Sequence, residues 1–144
     1  MPQYWILKTE PSEFSFQQLM AERSAVWDGI SNALALKHLR TVATGDHALI
    51  YHTGDERALV GLALVTKGAY PDPKLRDPKR VVIDVSAERP LARPVPLAQI
   101  KDDAAFADLG LVRISRLSVI PVSPAQWRRL VALGGKAPGR PAAS

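Results

Sequence analysis

His47-Ala48-Leu49-Ile50-Tyr51-His52, then Thr53-Gly54-Asp55-Glu56, then Ala58-Leu59-Val60-Gly61-Leu62-Ala63-Leu64-Val65: this stretch decides the fold class. Two apolar runs around a polar turn with one glycine read as a β-hairpin. Downstream, Tyr70 to Pro78 holds three prolines and alternating charge, so a loop is expected there, leading into a strand over Arg80-Val81-Val82-Ile83-Asp84-Val85. Pro90, Pro94 and Pro96 are expected to interrupt the chain beyond that strand. A short helix is expected within residues 97–106 and a last strand over Arg116-Leu117-Ser118-Val119-Ile120. Ser123-Pro124-Ala125-Gln126 then opens a helix, with Ser at the N-cap, Pro in the first turn and Gln three residues on, and Gly134-Gly135 ends it. Upstream, residues 3–8 suit a strand stopped at Glu10-Pro11, Ser15-Phe16-Gln17-Gln18 matches a capping box, and a second helix is expected over Ser31 to Arg40 after a Trp27-Asp28-Gly29 turn. Short strands, proline-rich turns and peripheral helices describe an α+β domain around a small β-barrel.

Composition narrows the class. At 144 residues with 47% apolar and 23% charged residues, the chain has the size and balance of one globular domain, here residues 1–133. Residues 134–144, poor in material to bury, are expected to be a disordered tail. The absence of cysteine excludes disulfides, thiolate metal sites and cysteine nucleophiles. The start of the chain does not read as a secretory signal, and no run approaches the roughly 18–20 apolar residues of a membrane span, so a cytoplasmic monomer with no membrane contact is expected. Three scattered histidines without helical pairing argue against a metal site, and nothing calls for a cofactor. The net charge of +5 is uneven: residues 1–60 hold five Lys/Arg against seven acids, whereas Arg113, Arg116, Arg128 and Arg129 meet no acid between 113 and 129.

The known catalytic templates are missing: there is no G-x-S-x-G elbow, no Walker loop and no dinucleotide fingerprint. What stands out are aromatic and polar groups beside turn signals: Tyr4-Trp5 with Lys8-Thr9-Glu10-Pro11, Trp27-Asp28-Gly29-Ile30-Ser31-Asn32, and Tyr51-His52-Thr53-Gly54. These three blocks resemble the EVE domain of the PUA-like group, and the likeness runs in order from residue 3 to about 133. The resemblance implies a PUA-like small β-barrel flanked by short helices. It also implies a pocket for a flipped, modified nucleobase such as methylated or hydroxymethylated cytosine, in DNA or RNA. The second block departs from the commonest family pattern by losing two arginines and a tyrosine, and Arg80 stands where many members carry Trp.

The chemistry of the residues is compatible with that implication. A base taken out of its stack needs aromatic platforms, for which Trp5, Trp27 and Tyr51 are candidates. Its hydrogen-bonding edge needs fixed partners, for which Thr9, Glu10, Asn32, His52 and the backbone around Gly29 are suited, the Asn amide offering a donor and an acceptor at once. Lys8, Arg80, Arg113 and Arg116 could hold phosphate. A shared pocket requires Trp5, Trp27, Asn32 and Tyr51 to border one cavity. Each residue also has an ordinary structural use: Trp5 as core, His52 as a satisfied buried histidine, Asn32 as a helix cap. Three functions stay open on the residues: a non-enzymatic reader of a modified base with no catalytic residue, a hydrolase of a modified nucleotide using Glu10 or Asp28 with His52, and an RNA-binding accessory acting through its basic surface.

Overall fold

The computed structural model describes residues 2–75 and 77–135. In chain order they form β1 (Tyr4–Thr9), α1 (Phe16–Glu22), β2 (Ser24–Trp27), α2 (Ala33–Leu39), β3 (His47–His52), β4 (Ala58–Pro71) and β5 (Val81–Pro96). After these come α3 (Leu97–Lys101), a 3₁₀ turn (Ala104–Phe106), α4 (Gly110–Arg113), β6 (Val119–Val122) and α5 (Pro124–Leu133). Six strands make one sheet in the order β2-β5-β4-β3-β1-β6. Only β1 and β3 run parallel. The sheet ends at β2 and β6, so the barrel is open, and α2 packs against both β5 and β6. The architecture is the α+β barrel with short flanking helices expected from the sequence. No helix among the described residues is long and apolar enough to cross a membrane.

The local signals for the helix starts hold because capping is decided within four residues. Ser15 Oγ accepts from the Gln18 N–H at 3.0 Å, Asn32 Oδ1 from Ala35 N–H at 3.0 Å, and Ser123 Oγ from Gln126 N–H at 3.2 Å. In the first and last cases the glutamine side chain does not return to the cap. Gln18 reaches Glu22, and Gln126 reaches Asp108 and the Ala105 carbonyl.

The strands are longer than expected. β4 runs on through Tyr70 to Pro71, and β5 continues through Pro90, Pro94 and Pro96, where an interruption was expected. The reason is a large irregularity: Leu59 pairs with Val95 while Gly61 pairs with Pro90, so residues 91–94 bulge out of the ladder, taking Pro94 with them, and Pro90 borders the bulge while Pro96 ends the strand. The end of α5 holds that bulge, with Arg93 N–H donating to the Gly134 carbonyl at 3.1 Å and Leu91 packed against Gly134. The four-residue β2 and the single-turn α4 were not expected, and the last strand begins at Val119 rather than Arg116. From residue 136 onward the expected tail lies outside the described residues.

The core fills the barrel with Ile6, Leu7, Leu49, Ile50, Leu59, Ile83 and Ile120, all fully buried. Phe16, the first residue of α1, lies over β4 at Gly61. A Cβ there would sit 2.3 Å from its ring, so only glycine lets the helix approach this closely. The parallel register of β1 and β3 sets Lys8 beside Tyr51 and Thr9 beside His52.

Candidate functional site

A cavity of about 510 Å³ opens where β1 and β2 end. Its wall is made by Lys8 and Thr9 of β1, the Glu10–Phe14 turn, Val26 and Trp27 of β2, the Asp28–Asn32 loop, and Ser118 before β6. Each wall is fixed by local bonds. Thr9 Oγ1 donates to the Phe14 carbonyl at 2.6 Å, and Glu10 Oε2 accepts from the Ser12 N–H and hydroxyl at 3.0 and 3.1 Å, closing the turn. Gly29 takes φ +80°, a backbone conformation that favours glycine, and lets the chain turn from Trp27 to the α2 cap. Phe14 meets Trp27 edge to face, ring centroids 6.0 Å apart at 80°.

The chemistry offered is specific. Asn32 caps α2 with its oxygen, so its NH₂ is the half left to donate toward a ligand, not both halves as the sequence suggested. Glu10, Glu13 and Asp28 supply acceptors, and with Lys8 they make three carboxylates against one ammonium around the opening. Phe14 and Val26 supply apolar surface, Val26 being 49% exposed, whereas Trp27 and Ile30 line the wall as buried core residues, 6% and 9% exposed. Lys8 lies over the Tyr51 ring, its Nζ 5.5 Å from the centroid, and donates to the Ser115 carbonyl at 2.8 Å. Burial pushes its ammonium below the usual lysine pKa.

The expected four residues do not border one cavity: Trp27 and Asn32 do, Trp5 and Tyr51 do not. Trp5 is 2% exposed and its Nε1–H donates at 2.9 Å to Asp46, whose buried carboxylate also accepts from the Gln3 and Ala43 N–H groups. It is core, as a tryptophan in a first strand usually is. Tyr51 sits on the other side of Lys8, lining a second cavity of about 240 Å³. His52 is buried beneath α1. Its Nε2 accepts from the Phe16 N–H at 2.9 Å and its Nδ1 meets Glu56 at 2.7 Å, the tautomer with Nδ1–H donating to the carboxylate. The acid/base set of Glu10 or Asp28 with His52 is therefore not assembled: the carboxylates face the first cavity and the histidine does not.

The arginines divide as well. Arg80 does not line the cavity; its Nε–H donates to the Ile30 carbonyl at 3.0 Å, bracing the loop that does. Arg113 and Arg116 are exposed on the segment bearing Ser115 and Ser118 and line neither cavity. Sequence reasoning missed Phe14 and Val26 in the first cavity, and Arg57 and Lys101 in the second. Phe14 follows the Glu10-Pro11 turn closely enough to have been found; Arg57 and Lys101 are brought together only by tertiary folding.

Residues 3–133 match the family model of the EVE domain. Human thymocyte nuclear protein 1 is 27% identical over an alignment covering 94% of this chain and 75% of that protein. Among solved structures, a Rhodopseudomonas palustris protein determined by NMR superposes with a TM-score of 0.87 at 38% identity, over 92% of this chain and 93% of its own. The human THYN1 protein, solved in complex with 5-methylcytosine containing DNA, superposes with a TM-score of 0.84 at 28% identity, over 94% of this chain and 99% of its own.

Proposed function

The chain belongs to the EVE domain family, and from that premise we propose that it is a non-enzymatic DNA-binding module that captures a flipped, modified base, with modified cytosine as its ligand class. The observation that carries this reading is one cavity in which an aromatic pair, an apolar rim and a half-committed amide converge, together with the methylated DNA held by a relative 28% identical.

Flipping a base costs a few kcal/mol of lost pairing and stacking, which a receptor must offset. Phe14, packed edge to face on the buried Trp27, offers aromatic contact worth about 1–3 kcal/mol per base. The NH₂ of Asn32 faces the ring with donors only, matching the O2 and N3 acceptors of cytosine, and the carboxylates of Glu10, Glu13 and Asp28 suit its N4 amino donor. Val26 supplies the apolar surface that a 5-substituent needs. Thr9 and Gly29 shape the wall, and Lys8 stands at its edge toward the strand backbone.

The test is binding of matched oligonucleotides carrying cytosine or 5-methylcytosine, single- and double-stranded, with an RNA arm. The parent is expected to prefer the methylated DNA, Phe14→Leu to lose most of that preference, and Trp5→Phe, remote from the cavity, to keep it. A parent that binds both cytosines alike, or a Phe14→Leu variant that discriminates like the parent, would overturn the reading.

A further inference from the structure

The second cavity differs from the first in sign. Its wall carries Lys8, Arg57 and Lys101 and the ring of Tyr51, with no carboxylate among its lining residues. None of the three cations forms an ion pair among the described residues. Arg57 and Lys101 also border a neighbouring cavity of about 340 Å³ whose wall includes Asp55 and Glu56, and Glu56 is engaged by His52. Among the described residues Arg57 is also one of two non-glycine residues with positive φ, +45°, a conformation that is unfavourable for an L residue. The fold holds it there through its carbonyl, which accepts from the Leu97 N–H at 2.8 Å and ties the β3–β4 turn to the start of α3. Three cations with donors to spare, beside a tyrosine hydroxyl in a concave wall, make a receptor for a tetrahedral oxyanion.

The two cavities share Lys8. Its backbone N–H donates to the Ser118 carbonyl on the first cavity's wall, and its Nζ to the Ser115 carbonyl on the second's. Lys8 thus stands between an opening lined by three carboxylates and one lined by three cations, and the Glu10 carboxylate packs against Gly54 of the second wall.

We propose that the second cavity is a phosphate subsite in which Arg57, Lys101, Lys8 and the Tyr51 hydroxyl hold a phosphodiester flanking the captured base. The position relative to the base rests on the proposed base-capturing function; the phosphate chemistry rests on this cavity alone. Occupancy orients the strand so that one nucleotide enters the first cavity while its backbone neighbour is clamped in the second.

The experiment measures affinity for an unmodified and a 5-methylcytosine single strand against salt concentration, for the parent, Arg57→Gln, Lys101→Gln and, as a control of equal charge on the exposed face of α5, Arg128→Gln. Lys101 is exposed at the end of α3, so its variant keeps the fold if Arg57→Gln does not. Loss of one phosphate contact should lower the slope of log affinity against log salt by about 0.7 and weaken both strands by roughly tenfold. The ratio between methylated and unmethylated strands should stay as in the parent. Slopes and affinities equal to those of Arg128→Gln overturn the subsite. Methylated and unmethylated strands bound alike by the parent, with the slope still falling in Lys101→Gln, overturn the base reading and leave the subsite standing. Titration of the parent with 5-methyldeoxycytidine, its monophosphates and inorganic phosphate, followed by amide shifts at Arg57, Lys101 and Ser115, separates the sources. Shifts with inorganic phosphate or the monophosphates but not with strands assign a free anion or phosphomonoester and overturn the phosphodiester subsite, and shifts with strands, whose linkages are diesters, support it. No shift with any phosphate-bearing probe overturns the proposal.

Discussion

Asn32→Asp separates the two uses of one side chain. Asn32 spends its oxygen on the Ala35 N–H at the start of α2, and its NH₂ remains for a ligand. Aspartate caps a helix as well as asparagine does and adds a negative charge at the positive end of the helix dipole, a contribution of about 0.3–1 kcal/mol. That gain is offset by the three carboxylates already around the cavity, so the net change in stability should stay within about 0.5 kcal/mol. Binding should respond quite differently. The donor is lost and an acceptor faces the base acceptors it served, which costs about 1–3 kcal/mol, or about 5- to 150-fold in affinity. Asn32→Ala removes the cap too, costing about 1 kcal/mol and lowering the melting temperature by about 4 °C. The assay pairs thermal melts with fluorescence anisotropy on a 5-methylcytosine oligonucleotide. Parental affinity in Asn32→Asp would show that the amide does not touch the base, and a melting temperature as low as that of Asn32→Ala would refute the capping argument.

Gly61→Ala places a methyl 2.3 Å from the Phe16 ring, so α1 must shift; a loss of about 1–3 kcal/mol in denaturant unfolding is expected. The Tyr70 hydroxyl donates to Asp84 Oδ1 at 2.5 Å, and this bond, with smaller help from burial and from the Asp84 and Asp72 charges, pushes its pKa up to about 12. The folded state favours the neutral phenol, so the stabilisation is complete below the ordinary tyrosine pKa of about 10 and disappears as pH rises to about 12. Tyr70→Phe should flatten the fall in stability across that window, which melts between pH 9 and 12 would record.

The helix starts were legible because Ser15, Asn32 and Ser123 act on donors three residues away. The hairpin of β3 and β4 was legible because its turn residues lie between two apolar runs. What misled the reading of β5 was proline: Pro90, Pro94 and Pro96 signal a break when seen alone, but Pro94 lies in a bulge that the end of α5 holds, Pro90 borders it and Pro96 ends the strand. The site was legible where it is built from one continuous segment, Trp27 to Asn32, and illegible where strand register decides which way a ring faces. Trp5 and Tyr51 share aromatic character with Trp27. Yet Trp5 is claimed by Asp46, 41 residues away, and Tyr51 is turned by the parallel pairing of β1 with β3 to the far side of Lys8. No local pattern carries either fact.

The charge arithmetic shows the same limit from another direction. Residues 1–60, with five Lys/Arg against seven acids, are slightly acidic although they hold most of the candidate pocket residues. The structure sharpens this, because the first two cavities differ in the sign of the charges that line them, whichever part of the chain those residues come from. Glu10, Glu13 and Asp28 gather at the opening that holds Trp27 and Asn32, whereas Arg57, from that same acidic half, joins Lys101 from the later part of the chain in the second. Two unit charges of like sign about 4 Å apart repel by roughly 4 kcal/mol at a protein surface. A phosphate is thus disfavoured where the base is proposed to sit and favoured in the neighbouring cavity that shares Lys8. Discrimination of this kind needs no net charge on the protein at all, so the +5 of the whole chain is a poor guide to where a strand would lie.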